Sequence, residues 1–165
     1  MEGIALYIES LGIAKWAQVF LLSMVPVVEL RGSIPWGAYL GLPCIETLIV
    51  SVIGNMVPVP FIMLFIRGLF KVFERIPLLR DVTVWIEDHT MKKAGKIAKY
   101  STWGLLLLVA VPLPGTGAWT GAFAATLLDI RLKNAIPVIF IGVFAAGLIV
   151  SGIAYGFWSF LGFLL

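Results

Sequence analysis

Two ionisable side chains stand two positions apart in the stretch VPVVELRGSIPWGAYLG, Val25 to Gly41: the carboxyl of Glu29 and the guanidinium of Arg31. Pro26, Gly32 and Pro35 surround them, and these residues interrupt a helix rather than extend it. On a regular helix positions i and i+2 do not face each other, whereas in an unwound turn they can. Two chemistries follow. As a structural pair the charges neutralise each other, or Arg31 snorkels towards a polar boundary. As a functional pair, Glu29 is a protonatable gate and Arg31 holds an anionic group with its planar fork of donors. Gly32, Ser33 and Pro35 complete this first candidate site.

A second stretch, PLPGTGAWTG from Pro112 to Gly121, carries no charge. It offers the hydroxyls of Thr116 and Thr120, an indole at Trp119, and backbone freed by Pro112, Pro114, Gly115 and Gly117. Hydroxyls and amides ligate an oxyanion or an ion, and Trp119 lines a pocket; the plainer reading is that small residues let helices pack closely. Asn55, in IGNMVPVPF, reads either as a hydrogen bond between helices or as a group on an ion path. Glu46 and the lone His89 read as solvated. The single Cys44 excludes an intrachain disulfide and any multi-cysteine metal site. No phosphate-binding loop, dinucleotide fingerprint or Cys/His cluster occurs, so no cofactor is expected. No nucleophile stands with a base at depth, so an enzyme is not expected, and an ATP-driven pump is excluded for this chain alone.

These groups lie in a very apolar chain. Hydrophobic residues make up 61% of the 165 positions, against about 45–50% in soluble domains, and the mean hydropathy is +1.04. No charge appears between Lys15 and Glu29, none from Tyr100 to Leu128, and none from Asn134 to Leu165; Gly32 to Ile66 holds only Glu46. Runs of this kind exceed the ~20 residues that cross a hydrocarbon core, which predicts an all-α integral membrane protein. A cleavable signal peptide does not fit, because Glu2 and Glu9 replace the basic start and no small-residue cleavage site follows.

The net charge of +3 is informative mainly through its location. Residues 67–99 are net basic, with apolar and basic residues at roughly helical spacing, and the island DIRLK, Asp129 to Lys133, is basic as well. The positive-inside bias predicts both on the cytoplasmic side of the plasma (inner) membrane. The 67–99 segment then reads as an amphipathic cytoplasmic connector. If 100–128 crossed once, DIRLK would lie outside; if it dips and returns, both basic islands stay inside. Its two arms, Ser101–Val111 and Ala118–Leu128, would each reach ~16 Å, about half the hydrocarbon thickness.

The same pattern occurs earlier, with an arm from Trp16 to Val25, a broken centre, and a short arm to Leu42. The expected organisation is a first repeat over 1–66 (re-entrant hairpin about 12–43, spanning helix about 45–66). The connector follows, then a second repeat over 100–165 (re-entrant hairpin about 101–129, spanning helix from about 134). The broken centres align as Pro26, Gly32, Gly37-Ala38-Tyr39 with Pro112, Gly117, Gly121-Ala122-Phe123, and Trp36 and Trp119 occupy matching halves. Such an inverted repeat places both termini outside and is common among secondary transporters. Unwound backbone at depth requires surrounding protein or a water-filled cavity. Gly152 and Gly156, with Gly142 and Gly147 nearby, fit helix packing or a homodimer.

VELRGSIPWGAYLG together with VPLPGTGAWTGAFAATLL resembles the small multi-drug export protein family, and more distantly the DedA/VTT-domain membrane proteins. The resemblance implies a compact inverted-repeat fold and, through the DedA-like relatives, proton-coupled movement of polyprenyl-phosphate or other lipids between leaflets. Under it Glu29 and Arg31 match the acidic and basic residues of the first hairpin motif, and Pro112, Gly115 and Gly117 match the turn of the second. The DedA relatives carry further charges at the second turn, and this chain has none there. The expected function is therefore a polytopic transporter moving a lipid-linked or amphipathic anion, coupled to protons or another ion. Its expected partners are membrane lipids, without nucleic acid. The alternatives are an exporter exchanging protons for a cationic amphiphile, against which Arg31 weighs by repulsion, and a non-transporting membrane-organising protein.

Overall fold

The computed structural model describes residues 14–74, 101–113 and 115–164. Most of the 67–99 connector, the N-terminal residues 1–13, Pro114 and Leu165 lie outside the described residues. Among those described every regular element is helical: α1 Lys15–Met24, α2 Glu29–Tyr39, α3 Cys44–Met56, α4 Pro58–Glu74, α5 Ser101–Ala110, α6 Ala118–Leu127 and α7 Leu132–Leu164. The last helix runs on through 156–164 without a bend into another element.

Local sequence explains where the chain breaks. Val25 closes α1 in an extended conformation, ψ 128°, because the ring of Pro26 crowds a preceding residue out of the helical region. Four residues later α2 begins with Glu29 at φ 48°, a left-handed conformation that costs about 1–2 kcal/mol in a residue with a Cβ. Between α5 and α6, Gly115 (φ 78°) and Gly117 (φ 136°) reverse the chain. By contrast, Pro58 breaks α3 from α4 only locally: the Val57 amide still reaches the Ile53 carbonyl at 3.2 Å, and Pro is tolerated at a first helical position. The Cys44–Leu69 stretch therefore continues as one apolar rod, and among the described residues it and Leu132–Gly156 are the two stretches long and apolar enough to cross a membrane.

The halves pack reciprocally. α1 lies on α2 and α3, and α5 lies on α6 and α7; across the halves α2 packs on α7, while α6 packs on α4. One core joins them, with Ile34, Met63, Val59, Ile139 and Val143 fully buried. Glycines permit the close approach: a Cβ on Gly121 would sit 2.5 Å from Val109, and one on Gly147 2.6 Å from Leu48. Such contacts matter because in lipid the helices are held by packing and hydrogen bonds rather than by expulsion of water.

The cross-section of α3 is inverted relative to a soluble helix. Ile45, Ile49 and Ile53 are 72%, 49% and 53% exposed, whereas Thr47, Ser51 and Asn55 are each 0% exposed. Apolar outside and polar inside is the arrangement that lipid requires.

Candidate functional site

The carboxylate of Glu29 and the guanidinium of Arg31 both reach into the second hairpin. Helix α6 begins with unpaired amides, as every helix does, and its cap position is Gly117, which has no side chain to satisfy them. Glu29 supplies the missing acceptor from the other half of the molecule. Its Oε1 receives the Trp119 amide at 3.2 Å, with the Ala118 amide beside it. A carboxylate there also faces the positive end of the helix dipole. Gly117 makes the approach feasible, because a Cβ at that position would collide with Glu29 Oε2.

Arg31 serves the opposite end of the same turn. Its Nη1 donates to the carbonyls of Leu113 (2.6 Å) and Thr116 (2.5 Å), and its Nη2 donates to Thr116 Oγ1 at 2.7 Å and, more weakly, to the Val111 carbonyl at 3.5 Å. The planar fork suits this cluster of acceptors left by the end of α5. Thr116 Oγ1 also lies 2.8 Å from the carbonyls of both Val111 and Leu113, so its one proton serves one of the two.

Glu29 and Arg31 therefore do not close an ion pair on each other, though they attract electrostatically. Among the described residues the ion pair is Arg67–Asp129, at 4.0 Å. One charge holds the amides of the second tip and the other holds its carbonyls, which answers why an apolar chain keeps both. Trp119 fastens the junction again, its Nε1 donating to the Met24 carbonyl at 3.2 Å where α1 ends. Thr120 Oγ1 donates to the Gly115 carbonyl at 3.0 Å, bracing the second turn internally.

The other candidates fall elsewhere. Trp36 is not the geometric counterpart of Trp119: its Nε1 donates to Gln18 Oε1 at 3.1 Å within the first half, and its ring stacks on Tyr39. Ser33 lies one turn behind Glu29 and donates to Ser51 Oγ at 2.8 Å. Gly32 and Pro35 are half-buried parts of α2, and Pro112 is a half-buried part of the second turn; none of the three contributes a side-chain hydrogen bond. Asn55 is 0% exposed, and neither its Oδ1 nor its Nδ2 has a hydrogen-bond partner.

Sequence reading passed over a buried polar stripe on α3. Thr47, Ser51 and Asn55 recur at i, i+4, i+8, the spacing of one helix face. At its far end Tyr155 Oη joins Thr47 Oγ1 (2.8 Å) and the Leu42 carbonyl (2.9 Å). The signal was periodic in polar residues, whereas apolar periodicity drew attention.

A family described as "Putative small multi-drug export protein" matches residues 29–149, beginning at Glu29 itself and including the second turn. The chain belongs to that family. No curated protein and no solved structure matches it.

Proposed function

We propose that the protein is a proton-linked membrane exporter in which Glu29 and an anionic solute group compete for one place, the amide end of α6 beside Arg31. The observation that carries this reading is the Glu29–Trp119 hydrogen bond across the two tips. Helix N-termini accept carboxylates and phosphates readily. A carboxylate of the protein occupying such a place stands where the head group of an amphipathic or lipid-linked anion would bind. Protonating Glu29 weakens its hold on the amides, frees the tip and leaves Arg31 as the receiving charge. Returning the proton expels the anion. Export-family membership favours a transporter over an enzyme.

The proposed topology has hairpins α1–α2 and α5–α6 entering from opposite faces, with their tips meeting near the midplane. Each of their helices has ten or eleven residues, or about 15–16 Å, half of the ~30 Å core. The rod Cys44–Leu69 starts near the base of the first hairpin, where Thr47 meets Gly37. It ends near the base of the second, where Arg67 donates to the Ile130 carbonyl at 2.5 Å. Arg67, Arg131 and Lys133 then share one end, which the positive-inside bias assigns to the cytoplasm; both termini are outside.

The test uses neutral phosphatidylcholine vesicles carrying the purified protein and a trace of fluorescent phosphatidic acid or fluorescent phosphatidylcholine. Leaflet exchange is read by quenching in acidic and alkaline buffer. Faster movement of the anionic lipid at acidic pH is expected; Glu29→Gln removes the pH dependence and Arg31→Gln removes the head-group preference. Equal movement of both lipids, or unchanged pH dependence in Glu29→Gln, would overturn the reading. The family's description favours a second one, exchange of protons for a cationic amphiphile at Glu29. Uptake of a fluorescent cation that needs Glu29 and rises in Arg31→Gln would select it.

A further inference from the structure

We infer that the first half holds a small monovalent cation of the sodium class beside Asn55, where the rod Cys44–Leu69 breaks. This goes beyond the proton latch and stands independently of it.

Asn55 is the starting point. A fully buried amide with both polar atoms unpartnered is an arrangement that folded proteins avoid, since its desolvation is left uncompensated. It lies one residue inside the C-terminus of α3, the negative end of that helix dipole. Directly after it the sequence removes two donors. Pro58 and Pro60 have no amide, so the carbonyls of Gly54 and Met56, four residues earlier in each case, lose their usual helical partner. Broken helices inside membranes present carbonyls to cations in this way.

Register adds hydroxyls. α2 and α3 run antiparallel, with Gly37 against Thr47 and Ser33 bonded to Ser51 at 2.8 Å. Ser51 sits one turn from Asn55 on the same face of α3, so the Ser33–Ser51 pair borders the amide. Glu29 contributes no ligand here, because its Oε1 is engaged by the Trp119 amide. Arg31 lies about 200° further round α2 and is directed at the α5–α6 turn, away from this face.

The ligand chemistry selects the ion. The available groups are an amide oxygen, hydroxyls and backbone carbonyls, all hard oxygens. Among the described residues no group of three or more His, Cys, Asp or Glu converges, so a divalent ion would lack the carboxylates it needs. A neutral oxygen set at a helix C-terminus matches a monovalent cation.

Thermal unfolding of the purified full chain in detergent tests this, with sodium, lithium or potassium chloride replacing choline chloride at constant ionic strength. A saturable rise in Tm with sodium is expected, smaller with potassium and absent with choline. Asn55→Leu should abolish the rise. Where that variant does not fold, Ser51→Ala should shift the half-saturating sodium concentration upward by fivefold or more, with a matching loss of sodium-23 line broadening. A flat response of the parent to sodium, or an unchanged response in both variants, overturns the site. Failure of the latch, seen as transport indifferent to Glu29→Gln, would leave the sodium response intact, so the two ideas fail separately.

Discussion

The two tips differ in backbone and have opposite chemistry. The first is a tight turn from Val25 to Val28, with amides returning to Leu22 and Val25 carbonyls within 3.2 Å; its own polar groups are largely satisfied and it exports two charged side chains. The second is an open turn, Val111 to Gly117, rich in glycine and uncharged; its Leu113 and Thr116 amides bond within the turn, while the Leu113 and Thr116 carbonyls and the Trp119 amide that opens α6 take partners from the first half. Each tip supplies what the other lacks. The two halves thus divide the work, one providing side chains and the other providing backbone. The absence of charge at the second turn has a physical reading. An additional charged side chain there would compete with Glu29 and Arg31 for the same acceptors and donors.

That division of labour can be broken most severely at Gly117. Gly117→Ala places a Cβ against the Glu29 carboxylate at a φ that L residues rarely adopt. A loss of about 3 kcal/mol or more is expected, read as a collapse of Tm in detergent, whereas Gly115→Ala, with open space around it, should lose only the conformational part.

Next in size is Arg31→Gln. It leaves carbonyls of Leu113 and Thr116 without their charged donor and should cost about 2–4 kcal/mol. Arg31→Lys keeps the charge without the fork, so restoration of full stability by lysine would show that charge alone is what the second tip requires. A smaller effect, about 1 kcal/mol, is expected for Trp119→Phe, which removes the bond to the Met24 carbonyl. The matching Trp36→Phe should leave the contact between the tips unaltered, because its bond is to Gln18 within one half. Cross-linking of the two tips through introduced cysteines would separate these outcomes.

The smallest stability change is expected for Glu29→Gln, about 0.5 kcal/mol, because the amide oxygen still accepts from Trp119 and only the charge assistance is lost. A destabilisation as large as that of Arg31→Gln would mean that the carboxylate's charge, rather than its geometry, holds α6.

Much of the architecture was readable in advance for local reasons. Apolar runs of spanning length follow from composition. Pro26 and Pro112, with Gly115 and Gly117, mark where short helices stop, because proline and glycine act on their own backbone and immediate neighbours. Glu29 and Arg31 stood out because charge is costly at depth. Less legible was the stripe Thr47, Ser51, Asn55, since hydroxyls and amides in an apolar helix are common and become informative only when their exposure is known. Trp36 and Trp119, equivalent by position, could not be told apart from the chain alone.

The sequence by itself determined that this is a helical membrane chain with two interrupted segments and one carboxylate–guanidinium neighbourhood. These depend on residue type and spacing along the chain. Only the tertiary structure decided that Glu29 and Arg31 turn away from each other towards Trp119, Leu113 and Thr116, and that Asn55 is enclosed without a partner. Those contacts join residues eighty or more positions apart, or depend on which helix face is covered. A buried polar group takes whichever complement packing brings within reach, and spacing along one chain does not specify that partner.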